Sequence, residues 1–295
     1  LFSKRPWSHP TGTPAESPYF PESPLQTPLN NLLPSLPAQT VAIDTHCHLD
    51  MAVYDLDRDQ VIAEAEGSGV SRMITIGIDP VSSEKAVALA ERYSPVYAAI
   101  GIHPHHAVPL DASCFRRLEL LAAHPKVIAY GEIGLDLVKK YVPVAQQITC
   151  FRQQVRLAKE LHLPVIIHDR GAHMETMEIL KAEKPFPAGG VMHCFSGDLK
   201  LAAAVLDLGF HISIPGIVTY DNAEKLQEVV REVDLAILLL ETDAPFLAPV
   251  PERGQRNRPA LMLHTARKIA ELKSISLAEV VKQTTVNAET LFSLA

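Results

Sequence analysis

Residues 41–50 read V-A-I-D-T-H-C-H-L-D, an apolar run that leads into Asp44, His46 and His48. Side chains on an extended chain alternate faces, so His46 and His48 point one way and Cys47 the other. Two imidazoles side by side at a strand end make half of a metal site. Taken alone, such a pair also fits two surface histidines in a loop, so the other ligand-type residues decide. They fall in a pattern. The run 98–101 leads into Ile102-His103-Pro104-His105-His106, and 127–131 leads into Glu132, with Asp136 close behind. Val165-Ile166-Ile167 ends at His168-Asp169-Arg170, Val191-Met192 at His193, and Leu238-Leu239-Leu240 at Glu241-Thr242-Asp243.

Those apolar runs belong to a longer rhythm. Short aliphatic stretches at 41–44, 73–78, 96–101, 127–134, 164–169, 190–195, 211–216 and 235–243 predict eight buried strands. Between them lie helical segments such as 57–67, 82–93 and 146–161. In the last, Ile148, Phe151, Val155, Ala158 and Leu161 recur at helical spacing as a stripe that packs on a core. Strands alternating with helices predict an α/β fold, one TIM-type (β/α)8 barrel over residues 41–295. A doubly wound open sheet is the competing architecture, but no G-x-G-x-x-G follows the first strand and no P-loop is present. The stretch from Pro259 onward is expected to be helical throughout and to cover the barrel.

In such a barrel the carboxyl ends of all strands converge on one face, where active sites sit. Nearly every strand able to carry a ligand does so at that end, which scattered structural histidines would not do. Four histidines with two or three carboxylates exceed what one four-coordinate ion takes. They suit two divalent ions bridged by a carboxylate, Glu132. His46, His48 and Asp243 are expected to hold one ion, and His168 and His193 the other. This mixed nitrogen and oxygen set admits Zn, Mn, Co or Mg. Asp243 also stands where it could take a proton from an attacking water, so Asp243 and Glu132 are the expected catalytic residues.

Composition excludes other classes. The 295 residues are 47% hydrophobic and 21% charged, which suits a folded domain, and no apolar stretch is long enough for a membrane span. A net charge of -7 argues against a protein that coats nucleic acid, though not against an enzyme that engages a nucleic-acid end locally. Weak, salt-sensitive substrate binding is expected. Cys47, Cys114, Cys150 and Cys194 form no C-x-x-C pair, so reduced thiols and a cytoplasmic location are expected; no obligatory protein partner is evident, and a monomer is expected. Residues 1–40 hold nine of the 23 prolines and show no helical or strand period, which predicts an extended or surface-hugging arm. That arm lacks the charged start and apolar run of a secretory signal.

The ordered runs D-T-H-C-H-L-D, G-I-H-P-H, G-E-I-G-L-D, I-I-H-D-R, H-C-F-S-G and E-T-D-A-P-F-L, followed by R-G-Q-R-N-R-P, closely resemble the TatD family of metal-dependent deoxyribonucleases. The resemblance spans residues from about 41 to the C-terminus. It implies a TIM-type barrel, divalent metals and hydrolysis of phosphodiester bonds, commonly from the 3′ end of single-stranded DNA or RNA. It also implies metal roles for His46, His48, Glu132, His168, His193 and Asp243, the residues that position alone selects. Two segments depart from the family pattern: Leu137-Val138 replace an aromatic pair, and Asp169-Arg170-Gly171 follow His168. Both concern substrate preference more than metal binding.

For substrate contact, Arg170 offers a phosphate ligand or an ordinary salt bridge, and His103 a phosphate contact or an ordered loop. Asp136 either orients a ligand or holds a loop, and Glu241 either orients a ligand or ends its strand in water. Arg253, Arg256 and Arg258, with Asn257, form a basic patch suited to a nucleic-acid backbone, and Lys139-Lys140 a weaker one. An ester or amide hydrolase on the same centre, such as an aminoacyl-tRNA deacylase, and a catalytically silent binding protein are the competing functions.

Overall fold

The structure, a computed structural model, describes residues 33–108 and 112–294. Residues 1–32, most of the expected proline-rich arm, lie outside the described residues. Its last part, 33–40, runs along the barrel: Leu33 packs against Ala248 and Leu261, and Leu36 against the main core.

Eight parallel strands form the sheet in the order of the chain: β1 (Ala42–Cys47), β2 (Val70–Ile76), β3 (Val96–Ile100), β4 (Val127–Asp136), β5 (Val165–Arg170), β6 (Gly190–Met192), β7 (His211–Ile214) and β8 (Leu238–Leu240). Helices α1 (Arg58–Ser68), α2 (Pro80–Arg92), α3 (Ala112–Ala122), α4 (Val144–Glu160), α5 (His173–Ala182), α6 (Leu199–Leu206) and α7 (Glu224–Glu232) follow the first seven strands. α8 (Met262–Lys273) and α9 (Leu277–Phe292) complete the chain. The ring closes just past β8, where the Asp243 amide donates to the His46 carbonyl (2.8 Å) and the His48 amide to the Ala244 carbonyl (2.7 Å). This is the TIM barrel that the alternation predicts.

Strand alternation divides the core in two. Ile43, Ile74, Ile76, Ala99, Ala129, Ile166, Val191 and Leu239 fill the barrel interior, and Leu291, Phe292 and Leu294 of the C-terminal segment close it from below. Residues such as Ala42, Met73, Ala98 and Tyr130 face outward onto the helices. Burial of this kind contributes roughly 25 cal/mol per Å² of apolar surface and leaves the upper mouth free for polar groups.

Three expectations need correction. The chain after Pro259 is not continuously helical: Ser274 takes a left-handed conformation (φ 55°), and Ser276 with Glu279 forms a capping box that starts α9. β8 covers only 238–240, because Asp234 accepts the Ala236 amide and turns 235–237 into a 3-10 segment. β6 stops at Met192 rather than 195. At both ends the backbone leaves the ladder near the candidate ligands, with Cys194 at φ 47° and Asp243 at φ 55°. Aspartate tolerates this region better than most residues, and the turn aims its carboxylate across the mouth.

Gly134 shows how tightly the mouth is built. Its φ is 149°, and a Cβ there would lie 1.9 Å from the His168 carbonyl oxygen. Gly134→Ala is therefore expected to push β5 from β4 and destabilise the protein by about 3 kcal/mol. Urea denaturation would show this as a lower midpoint at unchanged slope; an unshifted midpoint would mean that the backbone gives way freely.

Candidate metal centre

Every strand end picked out for chemistry opens on the upper mouth. The bulge in β1 between Asp44 and Cys47 places His46 and His48 together there, while Cys47 turns into the helix-side core. Asp44, fully buried, acts as a clasp. Its carboxylate accepts the amides of His46 (3.2 Å) and Thr242 (3.0 Å) and the Thr242 hydroxyl (2.6 Å), so it ties the end of β1 to that of β8. Burial pushes its carboxyl up to about 8 against the pull of those donors.

Glu132 lies at the centre. Its carboxylate oxygens are 2.5 Å from His168 Nδ1, 3.0 Å from His193 Nε2, 3.5 Å from His46 Nε2 and 3.5 Å from His103 Nε2. Burial alone would raise its pKa, but His193, His103 and His168 outweigh it and hold the carboxylate well below its ordinary range. Asp243 completes the other side, with Oδ1 3.4 Å from His48 Nε2 and 3.8 Å from His46 Nε2. The rings of His46 and His193 stack, with centroids 3.7 Å apart, and join the two sides.

Protonation follows from the partners. The Ile76 carbonyl lies 3.2 Å from His48 Nδ1, so that nitrogen carries the proton and Nε2 faces Asp243. Burial opposes charge on His48, but Asp243 and Glu132 prevail and carry its pKa to about 9. Burial lowers His46 to about 4, which keeps its ring neutral and its lone pair free. Burial likewise opposes charge on His193, but Glu132 and Glu241 raise its pKa well above the ordinary value.

Among the described residues, three sets of side chains have ligand atoms within 4.8 Å of one another: His46, His48 and Asp243; His103, Glu132 and His168; and His46, His193 and Glu241. The atoms also need partners. Both nitrogens of His46 and His168 Nε2 are buried without a hydrogen bond. Unpaired buried polar atoms are costly, and a divalent ion bound among these rings would relieve them. The donor set therefore fits metal. His103 fits differently. Its Nδ1 accepts the His105 amide (3.1 Å), so in the neutral ring the proton sits on Nε2 and points at Glu132. Burial holds its pKa well below the ordinary value. His103 thus presents an N–H donor rather than a lone pair.

Several residues left open in the sequence are placed by these contacts. Glu241 is not at a wet strand end. It is fully buried, with Oε2 3.4 Å from His193 Nδ1 and Oε1 accepting the Cys194 amide at 2.8 Å. A carboxylate behind a histidine orients the ring and increases its basicity. Glu241→Gln is accordingly expected to weaken divalent-ion affinity about 10- to 100-fold, as read by chelator competition. Unchanged affinity would reduce Glu241 to packing. Asp136 holds its loop: it accepts the Val138 and Lys139 amides (2.9 and 2.7 Å), meets His105 Nε2 at 2.8 Å and lies 3.7 Å from His168 Nε2.

The basic patch largely dissolves. Arg256 pairs with Asp57, Arg258 with Glu64, and Asn257 is buried with its amide on the Thr242 and Phe246 carbonyls. These groups hold the loop after β8. Arg253 stays exposed, its guanidinium 4.2 Å from the centre of the Tyr220 ring. Arg170 stays half-exposed at the mouth, 4.0 Å from Asp136. The sequence reading missed Gln147 and Gln154, which lie buried on the apolar face of α4. Gln147 brackets the backbone of Asp136, and Gln154 that of Ile102, so one helix pins two mouth loops. Their only signal is polar residues seven apart within an apolar stripe.

A closed parallel barrel whose strand ends gather histidines around a buried carboxylate is the architecture of a metal-dependent barrel hydrolase. The family model for TatD related DNase matches residues 43–293, and the chain belongs to that family of metal-dependent hydrolases. It is 42% identical over 251 residues to the uncharacterized metal-dependent hydrolase YabD of Bacillus subtilis (strain 168), covering 85% of this chain and 98% of that one. Similarity to the 3′-5′ ssDNA/RNA exonuclease TatD of Erwinia amylovora is 35% identity over 257 residues, or 85% and 99% of the two chains. Among solved structures, the TatD homologue YjjV of Escherichia coli K12 matches with a TM-score of 0.82 and 35% identity, over 86% of this chain and 98% of that one. Among the described residues, no helix is long and apolar enough to cross a membrane.

Proposed function

We propose that this protein hydrolyses phosphodiester bonds at the ends of single-stranded DNA or RNA, removing nucleotides in the 3′ to 5′ direction. The observation that carries the proposal is one buried carboxylate, Glu132, that meets four histidine rings within 3.5 Å while Asp243 faces the same space. His46, His48 and Asp243 would hold one divalent ion and His168 and His193 a second, with Glu132 shared; Mg, Mn, Zn and Co all suit the donors. Such ions, when bound, acidify water and offset charge on a phosphoryl oxygen.

The residues of the chain then have distinct tasks. Asp243 accepts the proton of the attacking water as the water oxygen bonds to phosphorus and the P–O3′ bond breaks, and the 3′ oxygen takes a proton from solvent and leaves as the new terminal hydroxyl. His103, neutral and protonated at Nε2, donates to a non-bridging phosphoryl oxygen where charge develops. Arg170 at the mouth and Arg253 beyond it bind flanking phosphates. Glu241 and Asp44 keep His193, His46 and Asp243 in register.

The test is product analysis on 3′- or 5′-labelled single-stranded oligonucleotides, using metal-stripped protein with Mg, Mn, Zn or Co restored. Stepwise shortening from the 3′ end, absent without metal, is the expected result. No cleavage with any ion, despite ion binding, would remove the nuclease reading in favour of an ester or amide hydrolase, for which release of an amino acid from aminoacyl-tRNA is the assay.

A further inference from the structure

The turn between β4 and α4 carries features that the hydrolytic centre does not use. Tyr141 stands there 53% exposed, a large aromatic ring turned to solvent at the edge of the mouth. It is nevertheless tied to the centre. Its ring meets that of His105 edge-on, with centroids 4.7 Å apart. His105 is fixed by Asp136 at 2.8 Å, and its ring lies 4.4 Å from that of His103 and 6.4 Å from that of His168. A chain of oriented rings thus runs from the place proposed for the reacting phosphate to an exposed aromatic ring.

The neighbours of that surface are cationic and apolar. Lys139 and Lys140 are exposed and form no ion pair among the described residues, and Val138 is 61% exposed beside Gly171. Arg170 closes the same rim. In a chain of net charge -7, Lys140 and Lys139, the latter with its ammonium 5.9 Å from the centre of the Tyr141 ring, stand beside an exposed aromatic at the entrance of a site for anionic substrate, which matches what a single nucleic-acid strand requires. Each base offers a face to stack, and the lysines meet the phosphates.

We infer that Tyr141 is the stacking platform for a base next to the scissile phosphodiester, with Lys139 and Lys140 engaging the adjoining backbone. The assignment rests on the nucleic-acid substrate proposed above. Its rival is a packing role in which Tyr141 only covers His105.

The experiment compares Tyr141→Ala, Tyr141→Leu and Tyr141→Phe in the full chain. Substrates are oligonucleotides carrying either a normal base or an abasic residue at each of the two positions flanking the cleaved bond. A parallel titration uses a non-hydrolysable phosphorothioate strand with 2-aminopurine at those positions and follows fluorescence quenching. Alanine and leucine are expected to raise KM and Kd about five- to a hundred-fold, with kcat little changed and quenching lost; phenylalanine behaves as tyrosine. The penalty should vanish on a substrate abasic at one of the two positions. A leucine variant with normal KM and quenching, or a penalty equal on normal and abasic strands, would overturn the assignment. Wild-type protein that quenches 2-aminopurine through Tyr141 yet cleaves no strand would sink the nuclease reading while leaving the stacking site standing. Absence of Tyr141-dependent quenching would remove the stacking site whatever the activity.

Discussion

Glu132→Ala is expected to lower turnover by at least about 10³-fold and to leave the protein unable to retain divalent ions. The carboxylate meets His46, His103, His168 and His193 within 3.5 Å, so its loss removes a ligand from both halves of the proposed centre at once. Stabilisation of developing charge by a metal centre is worth several kcal/mol, and each 1.4 kcal/mol is a factor of ten in rate. Glu132→Gln, which keeps the volume but not the charge, should behave nearly as badly. Elemental analysis of the folded variants, beside the rate, checks the claim. A variant that keeps its ions and its rate would show that Glu132 is a structural acid and that the centre lies elsewhere.

Asp243→Asn should separate proton transfer from ion binding. Asparagine keeps an oxygen near His46 and His48, where Asp243 Oδ1 stands at 3.8 and 3.4 Å, but it cannot accept a proton from water. A drop in kcat of about 10²- to 10⁴-fold with ions still bound is the expected outcome, the usual range for loss of a general base. KM for an oligonucleotide should change little, since Arg170 and the β4–α4 rim are untouched. Ion loss as complete as in Glu132→Ala would make Asp243 a ligand and nothing more. The left-handed backbone at position 243 matters here, because it turns the carboxylate into the mouth, and asparagine tolerates that conformation as well as aspartate does.

Much of this centre is legible without coordinates. Aliphatic runs ending in His46 and His48, Glu132, His168, His193 and Asp243 can be read as strands, and a parallel barrel must bring their ends to one face. The same logic turns Cys47 into the core. The reading is weaker where backbone geometry is irregular. The runs predicted for β6 and β8 extended to Phe195 and Asp243, across backbone where Cys194 and Asp243 adopt positive φ, because periodicity says nothing about where a ladder breaks. The capping box of Ser276 and Glu279 was available as an S-x-x-E signature and passed over.

What the sequence by itself determined is the set of elements and the types of group each carries to the mouth, since alternation and strand order are local properties of the chain. Pairing was decided only by the tertiary structure. Arg256 and Arg258 look like a surface for nucleic acid until Asp57 and Glu64, about 200 residues away, are seen to neutralise them. Glu241 becomes an orienter only through His193, and His103 a donor only through the His105 amide that fixes its tautomer. A buried charge or ring takes its protonation from whatever lies within a few ångströms, and those neighbours come from distant parts of the chain.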